Sequence, residues 1–300
     1  MKSYLYILIL LTVYSALGQQ EAQYSQYMYN MNIVNPAYVT NTPGIIYFGS
    51  LYRTQWTGLE GGPKTGNVFV KVPTNQRTEV SFNYVNDRIG DVLEENSFNM
   101  DYAYILQLSA NVKLSLGLKA GLSNLAFDFS RTNVNQDPSF QNSNSTLFNM
   151  GAGAFLFTDR FYVGISSPNF MPADIDSADE NLYEHSTQMY AMAGYVYDLG
   201  PSVKLKPSTV LKQSIGAPLT FDVSLNALFY DRFEIGASYR YQDAMAFLAA
   251  VDVAHNLRIG YAYDHTTSKL NDFNNGTHEI ILLYNFDFLK PKKYTSPRFF

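Results

Sequence analysis

The sequence predicts an all-β protein: a transmembrane antiparallel β-barrel of about 14 strands, with a non-alternating segment before it and a short tail after it. Three observations carry that prediction. Apolar and polar residues alternate with a period of two over long runs, the mark of strands with two unlike faces. The longest runs reach about a dozen residues, more than the ~5–6 of an ordinary strand and enough for the ~9–11 of a tilted bilayer crossing. Tyr (24) and Phe (21) are abundant while only 16% of residues are charged, against about a quarter in a soluble domain. Past the first 18 residues no run approaches the ~20 apolar residues of a helical span.

Taken in order, residues 1–18 read as a signal peptide. Lys2 precedes an apolar run over 4–13, and the small residues Ala16 and Gly18 place cleavage after Gly18. The chain has no cysteine, so it is neither a lipoprotein nor held by disulfides. Its net charge of -5 argues against nucleic acid as a partner. Residues 19–43 are polar, with Tyr24, Tyr27, Tyr29 and Tyr38 but no alternation; they are available as a plug or as a periplasmic contact.

The barrel is expected over 44–288. Candidate strands are 44–56, 65–73, 79–86, 97–108, 112–127, 147–157, 161–167, 186–198, 202–213, 219–230, 233–242, 244–254, 257–265 and 277–288. An even number keeps both ends of the chain on the periplasmic side of an outer membrane. Alternation is clearest where Leu114, Leu116, Leu118 and Leu122 oppose Lys113, Ser115, Lys119 and Ser123. In 97–108, Phe98, Met100, Tyr102 and Tyr104 oppose Ser97, Asp101 and Ala103. Strands 186–198 and 244–254 are apolar on both faces, which leaves their inner face unassigned. Short links (109–111, 158–160, 199–201, 231–232, 255–256) interleave with longer ones (57–64, 86–96, 128–146, 168–185, 266–276), as the two rims of such barrels require. Two links on the long side, 214–218 and 242–244, are short.

A lumen of this width has to hold something. The inward charges Arg53, Lys71, Lys113, Lys119, Asp101, Arg240 and Arg258 are expected to pair with one another or with the plug, because an isolated confined charge is costly. Arg53 should point inward, with Ile46, Phe48, Tyr52 and Trp56 on the other face, and reach the segment containing Asn35 and Pro36 as a latch. The tail 289–300 extends past the final aromatic residue of the last strand.

Chemistry finds little support. His185, His255, His265 and His278 lack His-x-x-x-His spacing and cysteine company, so no zinc site is expected. No Gly-x-Ser-x-Gly accompanies a histidine. Asp174, Asp176, Asp179, Glu180 and Glu184 share one loop without the Gly and terminal Glu of a calcium loop, and read as a solvated loop. Asn275-Gly276-Thr277 is read as a turn. The Gly151-Ala-Gly-Ala run lacks the context of a dinucleotide site; small residues on a tightly packed strand explain it. Neither a cofactor nor a metal is expected.

The block YMYNMNIVNPAYV and the following LYRTQWTGLEGGPKTGNVFVKVP carry Asn35-Pro36-Ala37-Tyr38, Arg53-x-Gln55-Trp56 and Pro63-x-Thr65, and the tail KPKKYTSPRFF carries Ser296-Pro297-Arg298. Together they resemble the PorP/SprF family of type IX secretion system membrane proteins of the Bacteroidetes. Val39-Thr40 departs from the Ala-Gly more usual there. The resemblance implies a non-enzymatic outer-membrane barrel with both termini periplasmic. It also implies a role in docking, exporting or anchoring a secreted surface adhesin through its C-terminal sorting domain, with contact to a periplasmic ring lipoprotein of the secretion and gliding machinery. The motif residues Asn35, Pro36, Tyr38, Arg53, Gln55, Trp56, Pro63, Thr65, Ser296, Pro297 and Arg298 are then candidate partner or plug contacts. A diffusion channel or hydrophobic-solute transporter is the alternative that the same strand pattern allows.

Overall fold

The computed structural model describes residues 23–130, 141–171, 173–177, 180–215 and 217–288, with backbone alone for 173–177 and 180–185. The signal peptide and the tail, Ser296, Pro297 and Arg298 included, lie outside the described residues. Fourteen strands form a closed antiparallel barrel. They are β1 (Ile45–Thr54), β2 (Lys64–Pro73), β3 (Thr78–Ile89), β4 (Leu93–Gln107), β5 (Lys113–Phe127), β6 (Ser143–Phe157), β7 (Phe161–Ser167), β8 (Gln188–Tyr195), β9 (Val203–Ser214), β10 (Thr220–Phe229), β11 (Phe233–Arg240), β12 (Ala244–Ala254), β13 (Leu257–Thr266) and β14 (Thr277–Asp287). A two-residue segment, Tyr197–Asp198, continues β8 beyond Val196 and pairs with β9. Closure is made by β1 and β14, from Ile45↔Asp287 to Thr54↔His278.

The alternation read from the sequence is the alternation of the wall. On β5, Leu118 is 64% exposed to the outside whereas Ser115 is 0% exposed on the inside. On β4, Phe98, Met100, Tyr102 and Tyr104 face outward, and Ser97, Asp101 and Ala103 are buried. The two strands left unassigned resolve as well. On β12, Ala244, Ala246, Leu248 and Ala250 are buried while Met245 and Phe247 are exposed; on β8, Tyr190 and Met192 are buried and Met189 is exposed. Their inner faces are apolar because Tyr and Met side chains of the segment before β1 pack against them: Tyr190, Met192, Leu248 and Ala250 belong to one cluster with Tyr24, Tyr27, Met28, Tyr29 and Met31.

Three boundaries differ from the sequence reading. The expected long link 86–96 is the paired end of β3 and β4, running out to Ile89↔Leu93, with Gly90 at φ 63° turning the chain. There Asn86 donates to Glu94 (2.8 Å) and Tyr84 to Asn96 (2.7 Å), so polar residues on both faces hide the period. β6 begins at Ser143 rather than 147. The link 168–187 holds its own hairpin, Ala173–Ser177 with Glu180–His185.

Candidate functional site

Residues 23–44 lie within the lumen. Two short 3-10 turns, Tyr27–Tyr29 and Met31–Ile33, carry a run too rich in Asn, and too close to Pro36, for a regular helix. The residues flanking them reach the wall on opposite sides, Gln26 N–H donating to Glu279 on β14 and the Asn35 side-chain amide to the Ala154 carbonyl on β6. Tyr24, Gln26, Met28, Asn30, Met31, Asn35 and Ala37 are all buried. Burial of this many Tyr and Met side chains supplies the apolar stabilisation, at about 1.5–3 kcal/mol for each fully buried large side chain.

The wall fixes this plug at named points. At the long-loop end, Arg53 Nη1 lies 2.9 Å from Glu279 Oε2 and Nη2 lies 2.9 Å from Asp264 Oδ2. Arg53 Nη1 also donates to Ser25 Oγ at 3.1 Å. Ser25 donates from its hydroxyl to Asp264 (2.6 Å) and from its N–H to Glu279 (3.0 Å), and Gln26 N–H donates to Glu279 at 2.8 Å. At the other end Glu79 accepts the Thr40 N–H (2.9 Å), the Thr40 hydroxyl (2.8 Å) and the Asn41 N–H (3.3 Å). In between, Tyr29 donates to Glu234 (2.6 Å), Lys71 to the Tyr29 carbonyl (3.3 Å) and Lys119 to the Asn32 carbonyl (3.0 Å). Charge-assisted bonds of this kind are worth roughly 1.5–3 kcal/mol each.

The sequence motifs divide between two places. Asn35, Pro36 and Tyr38 form a turn pressed on β5, β6 and β7. Asn35 accepts the Ala37 N–H (2.9 Å) and donates to the Ala154 carbonyl (3.2 Å), the side-chain-to-backbone turn that Asn before Pro favours. Tyr38 packs edge-on against Phe155 at 5.4 Å, with the Lys71 ammonium 4.6 Å above its ring. Gly117, Gly153 and Gly164 make room: a Cβ on Gly117 would fall on the Pro36 carbonyl, and one on Gly153 or Gly164 would strike the Asn35 amide.

Arg53, Gln55, Trp56, Pro63 and Thr65 instead line a cavity of about 530 Å³ at the long-loop end, together with Gln23, Asp87, Arg240 and Asp264. Arg53 points inward as expected, but it meets Ser25 rather than Asn35 or Pro36, which sit against β5–β7 across the lumen. Trp56 is not on the lipid face of β1. It lies past the end of that strand, at φ 49°, where its N–H donates to Thr277 Oγ1 (3.1 Å). Gln55 N–H donates to the Pro63 carbonyl (2.8 Å), and Thr65 donates to Asp87 (2.6 Å). These motifs hold the rim turn 55–63 in shape. A second cavity of about 170 Å³ at the short-turn end is lined by Met28, Tyr29, Thr40, Lys71 and Arg258. The two share no lining residue.

Of the other inward charges, Lys119 lies 3.7 Å from Asp101, Arg240 pairs with Asp222 and Asp243 (both 3.1 Å), and Arg258 pairs with Glu234 (3.2 Å) and Asp252 (2.6 Å). Lys113 is half-buried and enters no ion pair among the described residues. Glu234, Asp264 and Glu279 lie on the polar face of the alternation in their strands, but sequence reasoning assigns them no partner. Ser25, Gln26 and Glu79 it missed, because nothing local marks a serine, a glutamine or a strand-start glutamate as a contact between distant segments.

Among the described residues no cluster of His, Asp and Glu could hold a metal, and no helix is long and apolar enough to cross a membrane. His278 faces outward, taking a 2.6 Å hydrogen bond with the Tyr261 hydroxyl; the side chains of the acidic loop at 174–184 lie outside the description.

A family model described as type IX secretion system membrane protein PorP/SprF matches residues 16–284. No curated protein matches. Among solved structures, the toluene transporter TbuX of Ralstonia pickettii is 10% identical with a TM-score of 0.53, over 85% of this chain and 92% of that one. The CymD monoaromatic hydrocarbon channel is 12% identical with a TM-score of 0.52, over 92% and 96%. At such identities the likeness is one of fold, that of outer-membrane barrels.

Proposed function

The chain belongs to the PorP/SprF family of type IX secretion system membrane proteins, and from that premise we propose that it is a plugged, non-enzymatic docking barrel of the outer membrane. In this reading it receives a secreted surface protein through that protein's C-terminal sorting domain, and anchors or passes it on beside the periplasmic ring lipoprotein and gliding machinery. The observation that carries the proposal is the occupied lumen: residues 23–44 are tied at Arg53, Asp264 and Glu279 at one end and at Glu79 at the other. A barrel built for free diffusion gains nothing from closing its interior with its own chain, whereas a platform needs its surface and not a pore. The Arg53–Trp56 and Pro63–Thr65 motifs, which border the long-loop cavity, are the proposed partner-facing residues. Asn35, Pro36 and Tyr38 are proposed to act by holding the plug, and Ser296, Pro297 and Arg298 to serve as a further contact.

The test is a pull-down of the tagged barrel from native membranes, with a large surface-protein fragment or a ring component expected to accompany it. Recovery of neither overturns the proposal. Planar bilayers discriminate the channel alternative: the docking reading expects no steady open-pore current from the full-length protein, and such a current would favour a channel or hydrophobic-solute transporter.

A further inference from the structure

Residues 23–44 contain no Asp, Glu, Lys, Arg or His, although the wall around them is rich in buried charge. Part of that charge meets hydroxyl groups, of Ser25, Tyr29 and Thr40, and the rest addresses the plug's main chain. Glu279 takes the N–H groups of Ser25 and Gln26, and Glu79 those of Thr40 and Asn41. Lys71 gives to the carbonyl of Tyr29, and Lys119 to those of Asn32 and Ile33. Main-chain groups are common to every polypeptide, so these contacts select for a peptide and not for this peptide.

Several of the wall's ions have partners within the wall. Arg53 meets Asp264 and Glu279, Lys119 meets Asp101, and Arg258 meets Glu234 and Asp252. A neutral segment can therefore leave without stranding those ions bare. A cation entering at Asn32 would add a second positive charge beside Lys119, whose one carboxylate partner among the described residues is Asp101, in a buried site, at a cost of several kcal/mol. The remaining selectivity comes from the apolar surfaces of Phe155, Tyr162, Met192 and Leu248, which suit Tyr and Met side chains.

We propose that the lumen is a binding site for an uncharged, Tyr- and Asn-rich polypeptide segment carried by the secreted partner, and that residues 23–43 occupy it until that segment replaces them. The proposal rests on the docking reading, and its test is separate from the pull-down.

The full-length barrel is folded first, carrying a protease site inserted after the exposed Pro43, and then nicked so that plug and wall are no longer one chain. Uptake of a fluorescent synthetic peptide with the sequence of residues 23–43 is read by anisotropy. The nicked barrel should take up this peptide, its Asn32→Gln form and a neutral peptide of the same composition in shuffled order. The Asn32→Lys form should bind about tenfold or more weakly, the effect of leaving one buried charge unpaired. A barrel whose plug is held to β2 by a short thiol crosslinker between Asn30→Cys and Asn67→Cys, side chains that now meet at 3.0 Å, should take up none. No uptake by the nicked barrel, equal uptake of the Asn32→Lys form, uptake of the native order alone, or equal uptake by the crosslinked barrel would each overturn the proposal. If the pull-down recovers a partner while peptide uptake fails, docking stands and the luminal site falls; the reverse pair of results removes docking and keeps the site.

Discussion

Arg53 and Glu279 are direct register partners across β1 and β14, and their side chains meet inside the barrel at 2.9 Å. The arginine that seemed misplaced in an aromatic run thus sits on the seam where the barrel closes. Its exposure is 3%, that of Glu279 is 0%, and the same carboxylate holds the main chain of Ser25 and Gln26.

Replacing Arg53 with alanine should loosen the start of the plug while the barrel still assembles. Removing one member of a buried pair costs roughly 3–5 kcal/mol, here spent by Asp264 and Glu279 left facing each other. Limited proteolysis of residues 23–43 is the measurement; unchanged cleavage would refute the latch.

Leu116→Arg and Ser115→Arg should fail differently. Leu116 faces lipid, where a cation near the midplane costs ~2–4 kcal/mol, so the folded, heat-modifiable fraction in detergent should fall. Ser115 is fully buried on the plug side, so its replacement should leave the barrel folded but make residues 23–43 protease-sensitive. The same gel pattern for both would reverse the assigned register.

Gly117→Val should expel the Asn35–Tyr38 turn, since the added atoms would fall on the Pro36 carbonyl and the Ala37 nitrogen. Hydrogen exchange of the amides in residues 35–40 should accelerate, with β5 and β6 amides unchanged. Protection of the turn equal to wild type would show that the wall yields instead.

Glu79→Gln should weaken the other end. It turns three charge-assisted acceptances from Thr40 and Asn41 into neutral ones, a loss of about 1–3 kcal/mol. Exchange should rise at Thr40 and Asn41 and stay low at Ser25 and Gln26. A rise at both ends would show that the plug releases as one unit.

The strand count and the inner and outer faces were legible because alternation is a local property that each strand writes into its own residues. β12 and β8 resisted because their inward side chains answer to the plug and not to water, so both faces are apolar. The ends of β3 and β4 resisted for the opposite reason: Asn86, Glu94 and Asn96 are polar whichever way they point. The direction of Arg53 followed from its opposition to Ile46, Phe48 and Tyr52, but its partner did not, since Ser25 and Glu279 are fixed by closure of the whole chain.

The seam carries one more consequence, for what a shortened chain would lose. Glu279 lies 226 residues beyond Arg53, so the contact between them joins the two ends of the barrel's chain. Because Ser25 and Gln26 bind at that same join, the residues that seal the cylinder also hold one end of its stopper. A chain truncated before β14 would lack Glu279, and with it both the seam and the anchor of Ser25 and Gln26.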